Sequence, residues 1–433
     1  MPTRSVGGTL EVGEGKAYAR IEEAVGLAEP GDTVLVYPLP EGRPYRRTAA
    51  YVSTPRLTIR GVQGASKTRV HISGAGFDYS GRGDVPRAIF QFNADADGCT
   101  LEGFELSGAH NGSHNGAGVR INQANDVTVR NCEIHANDMG IMSNGDGTDA
   151  AAAQQLIESC EIHHNGNFEH PGYNHNLYLG GWSVTVRFCD IHDSLTGHNL
   201  KSRAHENRVE YSFIHDSGNR EMDLVDGGDT EADASHTFVV GTVIAKDPRC
   251  RGNKNVIHFG QDGGRQHNGT LFLLHSTIVT PFLSPVVHLS SAGASVYAYG
   301  SIVWNRDAFG ESQVFADVRA GGRIEAVDGS ANWISNTFDL NGTGLMDGYA
   351  TPDGFLPFAD PANHNYRLFG PVENIIDAAG YEGLPDVVKR TYASSDYLQW
   401  EYATPLSRSK RYVDPPLDAG AHEYKSTRHP HGD

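Results

Sequence analysis

Four side chains able to hold or move a proton, Tyr178, Lys201, Asp223 and His258, recur along the chain, each inside a short alternating stretch. The stretches read Asn176-Leu-Tyr-Leu179, Asn199-Leu-Lys-Ser202, Glu221-Met-Asp-Leu224 and Val256-Ile-His-Phe259. Guanidinium groups stand close by at Arg203 and Arg220, and His175, His198 and Asn199 flank the column. A solvated β face ordinarily carries scattered Thr, Ser, Lys and Glu, so consecutive Tyr, Lys, Asp and His point to chemistry. Removing the weakly acidic proton beside a uronate carboxylate needs a cation or donor set on that carboxylate, a base at C5 and an acid for the departing O4. Lys201 is the expected base, Tyr178 or Arg203 the expected proton donor, and Arg203, His198 and His175 the expected carboxylate binders. Asn199, Asp223, His258, Arg220 and Tyr173 complete the expected substrate contacts. A plainer role competes for His175 and His198, as ladder residues satisfying turn backbone.

These residues can act together only if the chain brings them to one wall, and an internal repeat provides for that. Val127-Thr-Val-Arg-Asn-Cys-Glu-Ile-His135 returns as Gln155-Leu-Ile-Glu-Ser-Cys-Glu-Ile-His163, then as Val184-Thr-Val-Arg-Phe-Cys-Asp-Ile-His192 and Arg208-Val-Glu-Tyr-Ser-Phe-Ile-His215. Apolar residues alternate with period two over stretches too short for helices, and Gly, Asn and Asp separate them. Short strands that cannot bury a face alone must stack, so the expected fold is all-β, a parallel β-helix with three short strands per rung. Alternation then sends Leu177, Leu179, Val184, Val186, Cys189 and Ile191 inward and Tyr178, Asp190 and His192 outward. Cys132, Cys160 and Cys189 form an internal ladder continued by Ser212, Thr242 and Ser276, a small polarizable core filler. The His135, His163, His192 and His215 column supplies a line rather than a tetrahedron of metal ligands.

The flanks close the solenoid. Residues 1–60 read as an N-terminal cap with the first strands: a short amphipathic helix over Lys16–Ala28, ended by Glu29-Pro-Gly-Asp32, and the strand Thr33–Tyr37. Residues 61–330 form the β-helix. Residues 331–433 are an irregular segment packed on it, with Lys425–Asp433 a loose tail. The 433 residues carry 35 Lys+Arg against 53 Asp+Glu, a net charge of −18. That balance argues against a general nucleic-acid binder, which needs a basic surface to displace phosphate counterions, and leaves room for an anionic substrate in a locally basic groove. No apolar stretch of about 18 residues exists, so a membrane span is not expected. Five cysteines, of which Cys99, Cys132, Cys160 and Cys189 follow at repeat spacing, do not decide the compartment.

The chain resembles the pectate-lyase-like superfamily of right-handed parallel β-helix proteins over about residues 10–330. The opening Gly13–Pro38, with Lys16-Ala-Tyr18, Glu23-Ala-Val25 and Pro30-Gly-Asp-Thr-Val34, carries the likeness, as does the closing Asp418-Ala-Gly-Ala-His-Glu-Tyr424. That ending is similar to secreted members and implies a secreted or periplasmic location, although Met1–Gly8 lacks the apolar run of a signal peptide; a cytoplasmic location stays open. The strand with Lys201-Ser202, followed by Asn207-Arg-Val209, is similar to the strand bearing the catalytic Lys of the alginate lyase/chondroitinase B family. The family's Arg on the next rung is missing, since this chain reads Met222-Asp-Leu-Val-Asp226 there. The resemblance implies a polysaccharide lyase acting on a uronate-containing polysaccharide by β-elimination. Two alternatives use the same residues differently: Asp223 and Asp226 as calcium ligands, or as the carboxyl pair of a glycoside hydrolase, whose members lie about 5–9.5 Å apart. A C5-epimerase and a non-catalytic polysaccharide-binding protein are the remaining readings. The oligomeric state has no signal in the sequence.

Overall fold

The computed structural model describes residues 7–64, 68–306, 313–345, 357–403, 406–412 and 416–425. Its strands assemble into three long sheets of thirteen, ten and eleven strands, with every pairing inside them parallel among the described residues. Each turn of the chain contributes one strand to each sheet. One such turn runs Leu177–Leu179, Ser183–Arg187 and Asp190–His192. The next runs Leu200–Ser202, Glu206–Glu210 and Phe213–His215. The inward set expected from alternation (Leu177, Leu179, Val184, Val186, Cys189, Ile191) is buried in one continuous core.

Corners decide whether such a stack can form, because backbone N–H groups leave the ladder there. At the corner between the thirteen- and eleven-stranded sheets, one residue per turn adopts the left-handed conformation: Asn131, Ser159, Phe188, Tyr211, His275 and Ala331 among non-glycines, Gly103, Gly241 and Gly300 otherwise. The following residue points inward, and where it is Ser or Thr its side chain accepts an N–H of the preceding rung, whereas Cys132, Cys160 and Cys189 donate their thiols to backbone carbonyls. Ser212 Oγ accepts from Cys189 N–H at 3.2 Å, Thr242 Oγ1 from Ser212 N–H at 3.4 Å, and Ser276 Oγ from Thr242 N–H at 3.4 Å. The column expected as mere filler therefore also satisfies corner backbone. All five cysteines are free and buried.

A second ladder lines the corner leading into the ten-stranded sheet. Asn137 Nδ2 donates to Asn165 at 3.0 Å, Asn165 to Asn176 at 2.9 Å, Asn176 to Asn199 at 2.8 Å, and Asn199 to Glu221 Oε2 at 2.7 Å. All five side chains are fully buried, and burial pushes the terminal Glu221 carboxyl up to about 7. The His135, His163, His192 and His215 rings stack at 5.0, 4.9 and 5.0 Å.

Both caps differ from the sequence expectation in extent. The N-terminal helix spans Ile21–Leu27, shorter than expected because Tyr18 pairs as a parallel bridge with Val12. Ile21, Ala24 and Val25 bury its apolar face. At the other end the thirteen-stranded sheet continues past residue 330 to Gly344–Leu345. The C-terminal segment then lies along the outer faces of two sheets. Tyr392, Tyr397 and Leu398 pack with Phe188, Tyr211, Phe238 and Phe272. Phe358, Tyr366 and Tyr402 pack with Phe213, Trp304 and Trp333. Within the Asp418–Tyr424 stretch, the Asp418 carbonyl lies 3.0 Å from His275 Nδ1 and Ala421 N–H donates to Thr277 Oγ1 at 3.0 Å. The expected tail beyond Lys425 lies outside the described residues.

Candidate functional site

The ten-stranded sheet aligns Met142, Tyr178, Lys201, Asp223, His258 and His288 as direct neighbours on successive strands, the column read from the sequence. Adjacent strands lie about 4.8 Å apart, so Tyr178 to His258 covers a span comparable to two or three sugar units.

Asp223 is the electrostatic centre. Its Oδ2 accepts from Lys201 Nζ at 2.6 Å and lies 3.4 Å from His198 Nε2. Its Oδ1 accepts from Arg220 Nη1 at 3.1 Å and meets His258 Nδ1 at 3.0 Å. Burial would raise this carboxyl, but the hydrogen bond from His258 and the charge of Lys201 hold it well below the usual carboxylate range. With its side chain 2% exposed, Asp223 braces the cations rather than facing a polymer. His258 is buried beside it and contacts Ser290 Oγ at 2.6 Å.

The second centre is Arg203. Its Nε donates to Tyr178 Oη at 3.0 Å, its Nη2 to Asp262 Oδ1 at 2.6 Å, and its Nη1 to the Asp226 carbonyl. Lys201 Nζ donates to the other oxygen of Asp262 at 2.5 Å. One carboxylate thus bridges an ammonium and a guanidinium beside a phenol. Asp262 was not among the residues expected from sequence. It follows the strand Ile257–Gly260, in the run Gln261-Asp-Gly-Gly-Arg265, and that glycine-rich extension at the Arg203 edge was the available signal.

Asp226 holds this extension in place. Its Oδ1 accepts the N–H groups of Asp262 at 2.6 Å and Gly263 at 2.7 Å, and its Oδ2 accepts that of Arg265 at 2.6 Å. These backbone donors outweigh burial and lower its carboxyl. A calcium ion taken by Asp223 and Asp226 would have to displace Lys201 and Arg220 from one and three backbone N–H groups from the other, so this donor set does not fit the ion. The same occupancy leaves neither carboxyl free to serve as a hydrolase pair.

His175 and His198 stack at 5.0 Å, and both are buried. His175 Nδ1 accepts the His198 N–H at 3.0 Å, and His198 Nδ1 accepts the Arg220 N–H at 3.2 Å. Burial drives His198 down to about 3 and His175 well below its ordinary value, so both are neutral and carry their proton on Nε2. They stand behind the column with Asn199, which lies in the fully buried asparagine ladder. The structure thus gathers Tyr178, Lys201, Arg203, Arg220, Asp223 and His258 around one spot and turns His175, His198 and Asn199 away from solvent. Tyr173 stands apart, exposed on the loop over residues 165–174 with Phe168.

The chain matches no protein-family model and no curated protein. Among solved structures it is similar to pectate lyase Pel9A, with 12% identity, 97% of each chain covered and a TM-score of 0.56. It also aligns with an alginate lyase from Paenibacillus sp. (17% identity, 67% of this chain and 93% of that one, TM-score 0.44). A pectin methylesterase from carrot aligns at 10% identity over 81% and 90% of the two chains, with a TM-score of 0.36. The chain has the right-handed parallel β-helix fold. At such low identity the likeness carries the β-helix fold alone. Among the described residues, no helix is long and apolar enough to cross a membrane.

Proposed function

We propose that this β-helix protein cleaves a uronate-containing polysaccharide by β-elimination. The observation that carries the reading is the Asp262 carboxylate gripped by Lys201 and Arg203 beside the Tyr178 hydroxyl. A pair of cations that holds one carboxylate in this geometry can hold another, and charge-assisted contacts of this kind are the strong ones. In the proposed reaction the uronate carboxylate replaces Asp262 and Arg203 neutralises it, which acidifies the C5 proton. The displaced Asp262 carries away one proton of the Lys201 ammonium, and the amine, now with a free lone pair, accepts the C5 proton. The C4–O4 bond breaks as the C4=C5 double bond forms, and Tyr178 gives its proton to the departing O4. Asp223 keeps Arg220 and His258 as partners throughout and fixes Lys201 in place. The exposed aromatic rings of Tyr173 and Phe168 offer stacking surface to further sugars. A polymeric substrate of this kind implies an extracytoplasmic location.

Incubation with a panel of uronate-containing polymers tests the reading. An unsaturated product absorbing near the ultraviolet edge is expected, lost in Lys201→Ala and strongly reduced in Tyr178→Phe. Reducing ends without that absorbance would make the protein a hydrolase, and unchanged turnover in Lys201→Ala would remove Lys201 from the mechanism.

A further inference from the structure

A cluster of potential ligands lies away from the column, where the C-terminal segment crosses the eleven-stranded sheet. His215 Nδ1 lies 2.8 Å from Asp216 Oδ2, and His364 Nε2 lies 3.3 Å from the same oxygen. All three ligand atoms fall within 4.8 Å of one another. A tetrahedral zinc site with bonds of about 2.0–2.1 Å separates its ligand atoms by roughly 3.3 Å, so two of the three edges are already near that length. We propose that His215, Asp216 and His364 bind a divalent transition-metal ion of the zinc type, which pins the C-terminal segment to the β-helix.

The surroundings of His215 support the assignment independently. Its Nε2 lies 3.0 Å from Asp190 Oδ1, and the other oxygen of Asp190 accepts the Tyr402 hydroxyl at 2.8 Å. A ligating histidine characteristically donates its second ring N–H to a carboxylate, which fixes the tautomer and orients the ring. With Nε2–H given to Asp190, neutral His215 turns the bare lone pair of Nδ1 toward the Asp216 carboxylate. That arrangement requires a cation between them, either a second ring proton or a metal ion. His364 aims a further nitrogen at the same oxygen. It reaches there from a left-handed backbone position after the turn Pro361–Asn363, and its ring lies 4.8 Å from that of His215. His364 also lines a cleft of about 420 Å³ with Tyr366, Arg367 and Tyr402, so the site lies at the edge of a solvent-open cleft. The related group His164, His192 and Asp193 has a looser support, because His192 Nε2 lies 3.6 Å from Glu161.

Calorimetric titration of the chelator-treated full-length protein with Zn²⁺ tests the site. One saturable site is expected, weakened at least 100-fold in His364→Ala and in Asp216→Asn. Asp190→Asn, which alters only the supporting carboxylate, is expected to weaken binding about 10–100-fold. Absence of saturable binding, or equal binding in His364→Ala, would overturn the assignment and leave a doubly protonated His215 as the cation. Should the variants fail to fold, zinc-edge anomalous scattering from wild-type crystals decides. A peak among the three side chains supports the site, and no peak there, or peaks only elsewhere, overturns it.

Discussion

Replacing Asp223 by asparagine removes one negative charge from a buried cluster while keeping the side-chain volume. The carboxylate is paired with Lys201 and Arg220, whose side chains are 10% and 17% exposed. Breaking a buried ion pair from one side costs about 3–5 kcal/mol, because the remaining charge loses its compensation. Here Lys201 keeps Asp262 and Arg220 keeps Asn255 as a hydrogen-bond partner, so the lower end, about 3 kcal/mol, is expected at neutral pH. Urea unfolding reads this as a lower midpoint at unchanged slope. The folded Asp223 carboxyl is held below its unfolded value, so its stabilisation is present above the unfolded value, about 3.9, and is lost as pH falls through the folded one. The gap between wild type and Asp223→Asn should therefore narrow only as pH drops below about 4. Adding Lys201→Met to Asp223→Asn should recover part of the loss, since it removes one uncompensated charge. A gap under about 0.5 kcal/mol at pH 7, the range of an ordinary surface change, or one that stays constant down to pH 2, would refute the assignment of Asp223 as the electrostatic anchor.

Other perturbations separate the remaining parts. Asp262→Asn should lower the KM for an acidic oligosaccharide several-fold by removing the internal carboxylate from Lys201 and Arg203; an unchanged KM would mean that substrate binds elsewhere. Asp226→Ala should release the amides of Asp262, Gly263 and Arg265 to faster hydrogen exchange and cost about 1–3 kcal/mol for the unpaired donors; unchanged protection would show that the loop is held by other contacts. Ser212→Ala deprives the Cys189 N–H of its corner acceptor, with a loss of about 1 kcal/mol in thermal or urea unfolding. Added calcium should leave turnover unchanged, because Asp223 and Asp226 are already saturated by protein donors; a calcium-dependent rate would contradict that.

The register of the site was legible because side-chain direction in a strand has period two and each repeat ends at a fixed corner. Once Cys132, Cys160 and Cys189 are aligned, Tyr178, Lys201 and Asp223 must follow suit. Accessibility was less legible. His175 and His198 share the polar, proton-bearing look of Lys201, yet they belong to a corner where unpaired N–H groups need acceptors, and each Nδ1 takes one of them. Asp262 escaped notice because it sits on an extension outside the repeated strands, where no periodicity assigns a direction. Asp190 does point outward as alternation requires. It is covered nonetheless, because Tyr402, from more than two hundred residues downstream, hydrogen-bonds to it.

The C-terminal segment touches rungs from Phe188 to Trp333, and this alters how the molecule should come apart. A simple solenoid is coupled only between neighbours and can fray one repeat at a time from an open end. A splint laid across many repeats ties distant ones to a common fate, so loss of the last coils must await its detachment. Nicking the chain between residue 345 and residue 357 would free the splint at one end, and melting of the cleaved protein should then spread over several steps instead of a single one.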